Sequence, residues 1–341
     1  SPGPVDGDVR STGTRRIALI AAVVLAGFAV LLMSWPQALG AQRVLGIAQL
    51  IAFRAPLVIG LGAMALLMGA VALLRRRRKP VLTSALTVLL AAGALVNGAV
   101  LVARGPAPAT LPEGDLVVMA WNAQGGATSP ATIAHVAAEA GAHVVSLPET
   151  DERAAAEVAR LLAEQGIAMS AHTVRAEGDY DWIPTSVLIA DELGEYELDG
   201  SSGTTPGLPS GAWRRTAGTG PESIVAAHPL PPLPDSMDGW EAGLRWVAGV
   251  CASAGPDVVV VGDFNATVDH MADLMGGCDD AALEAGGAAS GTWPSDAPAW
   301  LASPIDHVLF GSSWTARGVR VLEGDQGGTD HRPIVAVLDR Q

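Results

Sequence analysis

Hydrophobic and polar positions divide the chain into two stretches with different rhythms. Ile17 to Met33 and Ala55 to Leu74 contain no charged or strongly polar residue, and Pro80 to Ala103 is interrupted only by Thr83, Ser84, Thr87 and Asn97. A bilayer core takes about 20 apolar residues, in a range near 17–25. All three runs fit, and none has the polar stripe of a helix packed on a soluble core. They predict three membrane spans. Cleavage of the first as a signal peptide near Ala38-Leu39-Gly40 is the alternative, and it still leaves two.

From Asp115 the apolar runs shorten and alternate with helical patterns. Strands are expected at Leu116–Ala120, His143–Leu147, Thr185–Ala190, Glu195–Leu198, Ser223–Ala227, Asp257–Val261, Pro304–Leu309 and Ile334–Leu338. Helices are expected at Pro130–Glu139, Asp151–Gln165 and Ser236–Ala254. The run Val258 to Val261 reads as a strand buried on both faces. Residues 199–221, rich in Gly, Ser, Thr and Pro, read as a long loop or hairpin tip. Strands alternating with helices predict an α/β domain. No internal repeat is visible.

Charge sharpens this division. The chain is 49% hydrophobic and only 16% charged, below the roughly 25% of an average soluble domain. Residues 1–104 carry ten Arg and Lys79 against Asp6 and Asp8, whereas residues 105–341 carry ten Arg, no Lys and 33 acids. Short cytoplasmic loops collect Lys and Arg. Arg15-Arg16 and the turn Arg75-Arg76-Arg77-Arg78-Lys79 are therefore inside, and the loop Ser34–Arg54, with Trp35 as an interfacial anchor, is outside. The expected organisation is a cytoplasmic tail (1–16), a three-span anchor (17–103), a Pro-rich linker (104–114) and an extracytoplasmic domain (115–341). That makes a multi-pass protein of the plasma membrane, and the Ala/Gly/Arg-rich, Lys-poor composition fits a high-GC bacterium. The only two cysteines, Cys251 and Cys278, would then lie in an oxidising compartment and could form a disulfide; two buried free thiols are the alternative.

Polar groups recur at the ends of the expected strands, where α/β folds place ligands. Singly, each has an ordinary reading: Asn122 as a turn residue, Glu149 as an acid at a helix start, His228 as a loop histidine, Asp263 and Asn265 as turn formers. Their order is more specific: strand-Asn122, strand-Glu149, strand-His228, Gly-Asp263-Phe-Asn265, Ile-Asp306-His307 and Thr-Asp330-His331-Arg-Pro. This set resembles the endonuclease/exonuclease/phosphatase superfamily of metal-dependent phosphoesterases over residues 113–340. Gly-Asp-Phe-Asn and the final Asp-His-x-Pro carry the resemblance best.

The resemblance implies an α/β (α+β) four-layer sandwich of two facing mixed sheets behind the three helices. It also implies a metal site of Asn122, Glu149 and Asp330 for Mg²⁺, which Mn²⁺ could replace. Asp263 would orient or deprotonate water, Asn265 would bind the phosphate, His228 and His331 would bracket it, and Asp306 would hold His331. Asn122, Asn265 and Arg332 would contact substrate, with the Arg214-Arg215 pair as a further source of positive charge. Gln124 departs from the pattern, standing where some nucleases carry an acid; Thr329 replaces a common Ser. The expected substrate is a membrane-associated phosphate ester such as a lipid or lipid-carrier head group. DNA is the alternative and a silent scaffold of the same fold the second, although no member of the catalytic set is missing. The acidic, Lys-free domain argues against nucleic acid, whose binding rests on Lys and Arg neutralising phosphates.

The topology has a direct check. Protease added to intact cells is expected to remove residues 115–341 and to spare the 75–79 turn; protection of the domain would reverse the orientation.

Overall fold

A computed structural model describes residues 7–78, 80–108, 110–176, 183–324 and 327–341. Lys79 of the basic turn lies outside them. The chain forms two compact units, residues 1–100 and 101–341.

The first unit is helical. Helix α1 (Gly7–Ser34) is followed by a short α2 (Ile47–Ala52), α3 (Arg54–Leu74) and α4 (Val81–Arg104). Three of these are long and apolar enough to cross a membrane: Gly13–Ser34 within α1, α3 and α4. Their outward surfaces are apolar, with Leu25, Leu66, Leu74 and Leu95 all exposed, as suits a lipid solvent. Arg54 is not the loop cation that its sequence position suggests. It opens α3, is buried, and donates to the Ser34 carbonyl and to Asn97 Oδ1 at 3.2 and 2.6 Å. Asn97 in turn donates to Ser34 Oγ and to the Gly93 carbonyl. The three long helices are thus tied by one polar cluster.

The second unit is a sandwich of two six-stranded mixed sheets. Its elements are β1 (Leu116–Ala120), α5 (Pro130–Ala140), β2 (Val144–Pro148), α6 (Glu152–Ala163), β3 (Met169–Val174), β4 (Thr185–Ala190), β5 (Gly194–Leu198), β6 (Gly211–Gly218), β7 (Ser223–Ala227), α7 (Met237–Ser253), β8 (Val258–Asp263), β9 (Asp279–Asp280), α8 (Ala281–Ala285), β10 (Asp306–Phe310), β11 (Trp314–Val321) and β12 (Ile334–Arg340). One sheet runs β11-β12-β1-β2-β4-β3 and the other β5-β6-β7-β8-β10-β9. Each has one parallel pair at its centre, β1/β2 and β7/β8, flanked by antiparallel strands. The two halves therefore repeat one pairing plan that the sequence does not display.

Period-two alternation places the core. Leu116, Val118 and Ala120 of β1 meet Val259 and Val261 of β8 and Val308 and Phe310 of β10 between the sheets. Met119, Val145 and Leu147 face the other way, against Ile133, Ala137, Val158 and Leu162 of α5 and α6. Ser129 and Asp151 cap these two helices by accepting from Thr132 N and Ala154 N. Residues 199–221 depart from the loop reading, because β6 occupies 211–218 between β5 and β7. Only its first three residues are buried, so its sequence lacks the apolar run of a core strand. The segment read as a linker is docked over its first residues. Arg104 makes two 2.8 Å bonds to Asp269, Arg104 and Gly105 carbonyls accept from Ala288 and Ala289, and Ala107 N donates to Ser290 Oγ.

Two cross-links fasten the segment after β8. Cys251 in α7 is disulfide-bonded to Cys278, with 5.5 Å between Cα atoms. Beyond it, Asp280 accepts from His307 Nδ1 at 2.7 Å, and His307 Nε2 donates to the Ala266 carbonyl at 2.8 Å. Both neighbours of the ring are acceptors, so the buried imidazole carries both protons. Burial opposes that charge, but the Asp280 carboxylate and the Ala266 carbonyl outweigh it and raise the His307 pKa. Such a pair stabilises at low pH and is lost as pH rises through the raised value. Asp280→Asn leaves a buried cation without its partner and is expected to cost about 3–5 kcal/mol. A thermal unfolding curve unchanged by Asp280→Asn would show that the pair contributes nothing.

Candidate active site at one end of the sandwich

Strand register gathers the polar groups. In the second sheet Asp306 lies opposite Asp263, and Gly262 opposite Ala227, which brings His228 beside the end of β8. In the first sheet Ala120 lies opposite Ser146 and Ile334, so Asn122, Glu149 and His331 emerge at the same end. Each sheet thus supplies three groups from three adjacent strands. Gly262 permits the approach: a Cβ there would fall 2.0 Å from the Ala227 carbonyl oxygen.

Asp263 is the centre. It is 1% exposed, and its Oδ2 accepts from Asn122 Nδ2 at 3.0 Å and faces His331 Nε2 at 3.7 Å and His228 Nε2 at 4.0 Å. Its Oδ1 accepts from Asn265 N at 2.8 Å. Burial pushes the Asp263 carboxyl up, the facing His331 pulls it down, and the Asp306 carboxylate adds to the rise. His331 Nδ1 is held by Asp306 Oδ2 at 2.9 Å, the pairing expected from the sequence. Burial works against its charge, but Asp306, Asp263 and Asp330 lift it to about 10. His228 is driven the other way, to about 4, by burial. The two imidazoles therefore differ at neutral pH: His331 is a charged donor and His228 a neutral ring.

Asn122, expected as an oxygen ligand or phosphate contact, uses both ends of its amide here. Its Oδ1 accepts from Gln124 N at 2.9 Å, and its Nδ2 reaches both Asp263 and Glu149 Oε1, the latter at 3.0 Å. The two carboxylates fix the amide in this sense. Asp330 lines the same cleft, with Oδ2 accepting from Trp293 Nε1 at 2.8 Å. Asn265 is half-buried there, one amide hydrogen engaged by the Pro229 carbonyl at 3.1 Å. Arg332 is a correction. It is buried away from the cleft and donates to the carbonyls of Pro294, Ser295 and Ala297, so it braces the loop after Trp293 and does not reach substrate. The Arg214-Arg215 pair is likewise committed, to Asp199 and to the Gly220 carbonyl.

The cleft has a volume of about 460 Å³. Its lining includes Glu149, Asp235, Asp263 and Asp330 and, among the described residues, no Lys or Arg. The same lining holds Ile183, Leu208, Leu230, Pro231 and Leu233, none of which the motif reading identified. Three non-glycine residues among those described have positive φ, namely Gln124 at 50°, Glu149 at 57° and Asn265 at 49°, and all three line this cleft. Backbone held in this region costs free energy, of order 1–3 kcal/mol each, and concentrates at functional sites.

The donor set fits a divalent cation. Carboxylate oxygens of Asp263 and Asp306 lie within 4.8 Å of one another and of a His331 ring nitrogen, all buried, and the carboxylates are the ligand atoms while the charged His331 remains a donor. Asp306 Oδ1 is buried with no hydrogen-bond partner. Glu149 and Asp330 add carboxylates at the same cleft, and Mg²⁺ favours one or two carboxylates with retained waters.

A two-sheet sandwich with acids and imidazoles converging at its strand ends suits phosphoric ester hydrolysis, and the family match makes the chain a phosphoric ester hydrolase. The chain belongs to the Endonuclease/Exonuclease/phosphatase family, whose sequence profile matches residues 119–331. Enzymes of this family depend on divalent metal. Among solved structures, the chain is similar to an endonuclease/exonuclease/phosphatase from Beutenbergia cavernae (16% identity, TM-score 0.52, covering 67% of this chain and 72% of that one). It is also similar to a conserved protein of unknown function from Enterococcus faecalis (13%, TM-score 0.50, covering 66% and 100%). A family protein from Leptotrichia buccalis gives similar values (13%, TM-score 0.50, covering 66% and 99%). At these identities the likeness is one of fold. No curated protein matches the chain.

Asp263→Ala and His331→Ala are each expected to lower turnover by about 10²–10⁴-fold while the circular dichroism spectrum stays unchanged. Wild-type turnover in either variant would move the chemistry elsewhere.

Proposed function

We propose that the protein is a membrane-anchored phosphoesterase whose domain lies outside the cytoplasm and hydrolyses a phosphate ester or pyrophosphate of the envelope, such as a lipid or lipid-carrier head group. The observation that carries this reading is the charge of the cleft. Its described lining holds four acids and no Lys or Arg. A nucleic acid brings successive phosphates and needs a track of cations to meet them. A single head group needs only one neutralised phosphoryl centre.

Glu149 and Asp330 would hold Mg²⁺, with Asn122 orienting Glu149; bound there, the ion neutralises the phosphoryl oxygens. The chain's own residues supply the remainder. Asp263, with its carboxyl raised by burial, orients the attacking water and takes its proton. Charged His331, fixed by Asp306, donates a hydrogen bond to a phosphoryl oxygen. Neutral His228 and the Asn265 amide line the same cleft and fix the phosphate's orientation. The extracytoplasmic placement is supported by the basic turn at 75–78 between two apolar helices and by the Cys251–Cys278 disulfide, a bond typical of oxidising compartments.

The test uses the full-length protein in nanodiscs with Mg²⁺, given polyprenyl pyrophosphate, phospholipid or double-stranded DNA. Hydrolysis of a lipid-linked phosphate, abolished by EDTA and in Glu149→Gln, is the expected result. Efficient DNA cleavage with no lipid hydrolysis would replace this reading with that of an extracellular nuclease.

A further inference from the structure

The cleft's lining also includes apolar side chains that the proposed function does not use. This apolar wall is formed by Leu208 and Leu230, which are buried, with Pro231, Ile183 and the exposed Leu233. Within residues 110–341, four large apolar side chains are exposed among those described: Leu198, Leu233, Leu283 and Trp300. Scattered apolar side chains need no explanation. Leu233 differs from the other three because it lines the cleft that holds Asp263 and His331.

The loop carrying it is built to hold it there. The sequence His228-Pro-Leu-Pro-Pro-Leu-Pro-Asp-Ser236 places four prolines around Leu230 and Leu233. Proline fixes φ and lowers the entropy of the free chain. Leu233 N donates to the Pro231 carbonyl at 2.9 Å and to Ser236 Oγ at 3.2 Å, and Ser236 Oγ donates to Pro231 O at 2.5 Å. Asn265 Nδ2, from the turn that follows Asp263, donates to the Pro229 carbonyl at 3.1 Å. Leu230 is packed so closely that a Cβ on Gly207 would lie 2.8 Å from its Cδ1. The apolar wall is therefore preorganised and coupled to the catalytic turn. Exposing Leu233 to water costs free energy that a bound hydrocarbon would recover.

We propose that this wall is a subsite for an aliphatic chain attached to the phosphate, and that Leu233 sets specificity for it. The inference rests on the phosphoesterase reading and names the class of substrate: an amphiphilic phosphate ester whose hydrocarbon begins within a few bonds of phosphorus. The acids that line the cleft, Asp235 of the same loop among them, would repel a second phosphate beside Leu233, so an uncharged chain is the complementary occupant. An acyl-derived chain and an isoprenoid chain share this chemistry.

The experiment uses the full-length protein in nanodiscs with Mg²⁺ and a series of 4-nitrophenyl alkyl phosphates from methyl to decyl, with the farnesyl ester as an additional arm. For the wild-type protein, kcat/KM is expected to rise at least about 10-fold from methyl to decyl, the discrimination an apolar pocket gives for an alkyl group. In Leu233→Ser the decyl-to-methyl ratio is expected to fall by about 10-fold, and in Leu233→Met to be kept. Because the ratio is taken within one protein in one nanodisc, partition of the chain into lipid cancels between variants. The arm with the steeper ratio, farnesyl or decyl, distinguishes isoprenoid from straight-chain substrates. Hydrolysis independent of chain length, or a ratio unchanged in Leu233→Ser, overturns the subsite and leaves the phosphoesterase reading standing. Failure to hydrolyse any ester of the series, with polyprenyl pyrophosphate or phospholipid still hydrolysed, overturns the subsite alone, and failure on all of these substrates overturns both.

Discussion

The Asp263 carboxylate is held in a buried position with Asn122, His331 and His228 on one oxygen and the Asn265 backbone N–H on the other. A carboxylate taken out of water is costly unless donors replace its hydration. Here the hydrogen-bond donors come from both sheets, Asn122 Nδ2 from the first and Asn265 N from the second, with the His331 and His228 rings facing the carboxylate at 3.7 and 4.0 Å. No single sheet could satisfy it. The arrangement requires two sheets face to face with their strand ends coincident, and the repeated pairing plan of the two halves provides that. The same requirement explains why β8, which carries Asp263, is an unbroken Val run. It is covered on both faces and cannot shift register without taking the carboxylate with it.

Tuning follows from burial and from which partner each imidazole meets. His331 has Asp306 on one nitrogen and Asp263 facing the other, so it retains a proton. His228 has Thr185 Oγ1 at 3.5 Å and Asp263 at 4.0 Å, and burial removes its charge. Two like residues thus reach opposite states a few ångströms apart, the usual way in which acid and base roles are separated. The third imidazole near the site, His307, has a structural task. It ties Ala266, one residue beyond Asn265, to Asp280.

The legible and illegible parts of the sequence divide along physical lines. Core strands such as β1, β4, β7 and β8 are continuous apolar runs and were predictable as such. By contrast, β3, β6 and β11 are partly solvated and carry Ser170, Arg214, Arg317 and Arg320, so their pattern resembles that of loops. The order of polar groups at strand ends was readable, and the structure brings Asn122, Glu149, His228, Asp263, Asn265, Asp330 and His331 to one cleft. Orientation was not readable. Whether Asn122 shows oxygen or nitrogen depends on Gln124 N and two carboxylates, and Arg332 is consumed by carbonyls that sequence cannot locate. The Asp280–His307 pair spans 27 residues and has no spacing signature. The apolar wall did leave a trace, in the Pro-Leu-Pro-Pro-Leu-Pro run directly after His228.

A strained, acidic cleft with no Lys or Arg among its described lining residues lies at the end of the sandwich, and its proposed role is that of a divalent-metal site that acts on phosphate esters. Strain at Gln124, Glu149 and Asn265 and the partnerless Asp306 Oδ1 both point there. The most direct measurement is anomalous diffraction from crystals of the protein equilibrated with Mn²⁺. A peak is expected in the cleft bounded by Glu149, Asp263 and Asp330. Crystals that bind no Mn²⁺ there at saturating concentration would contradict the account.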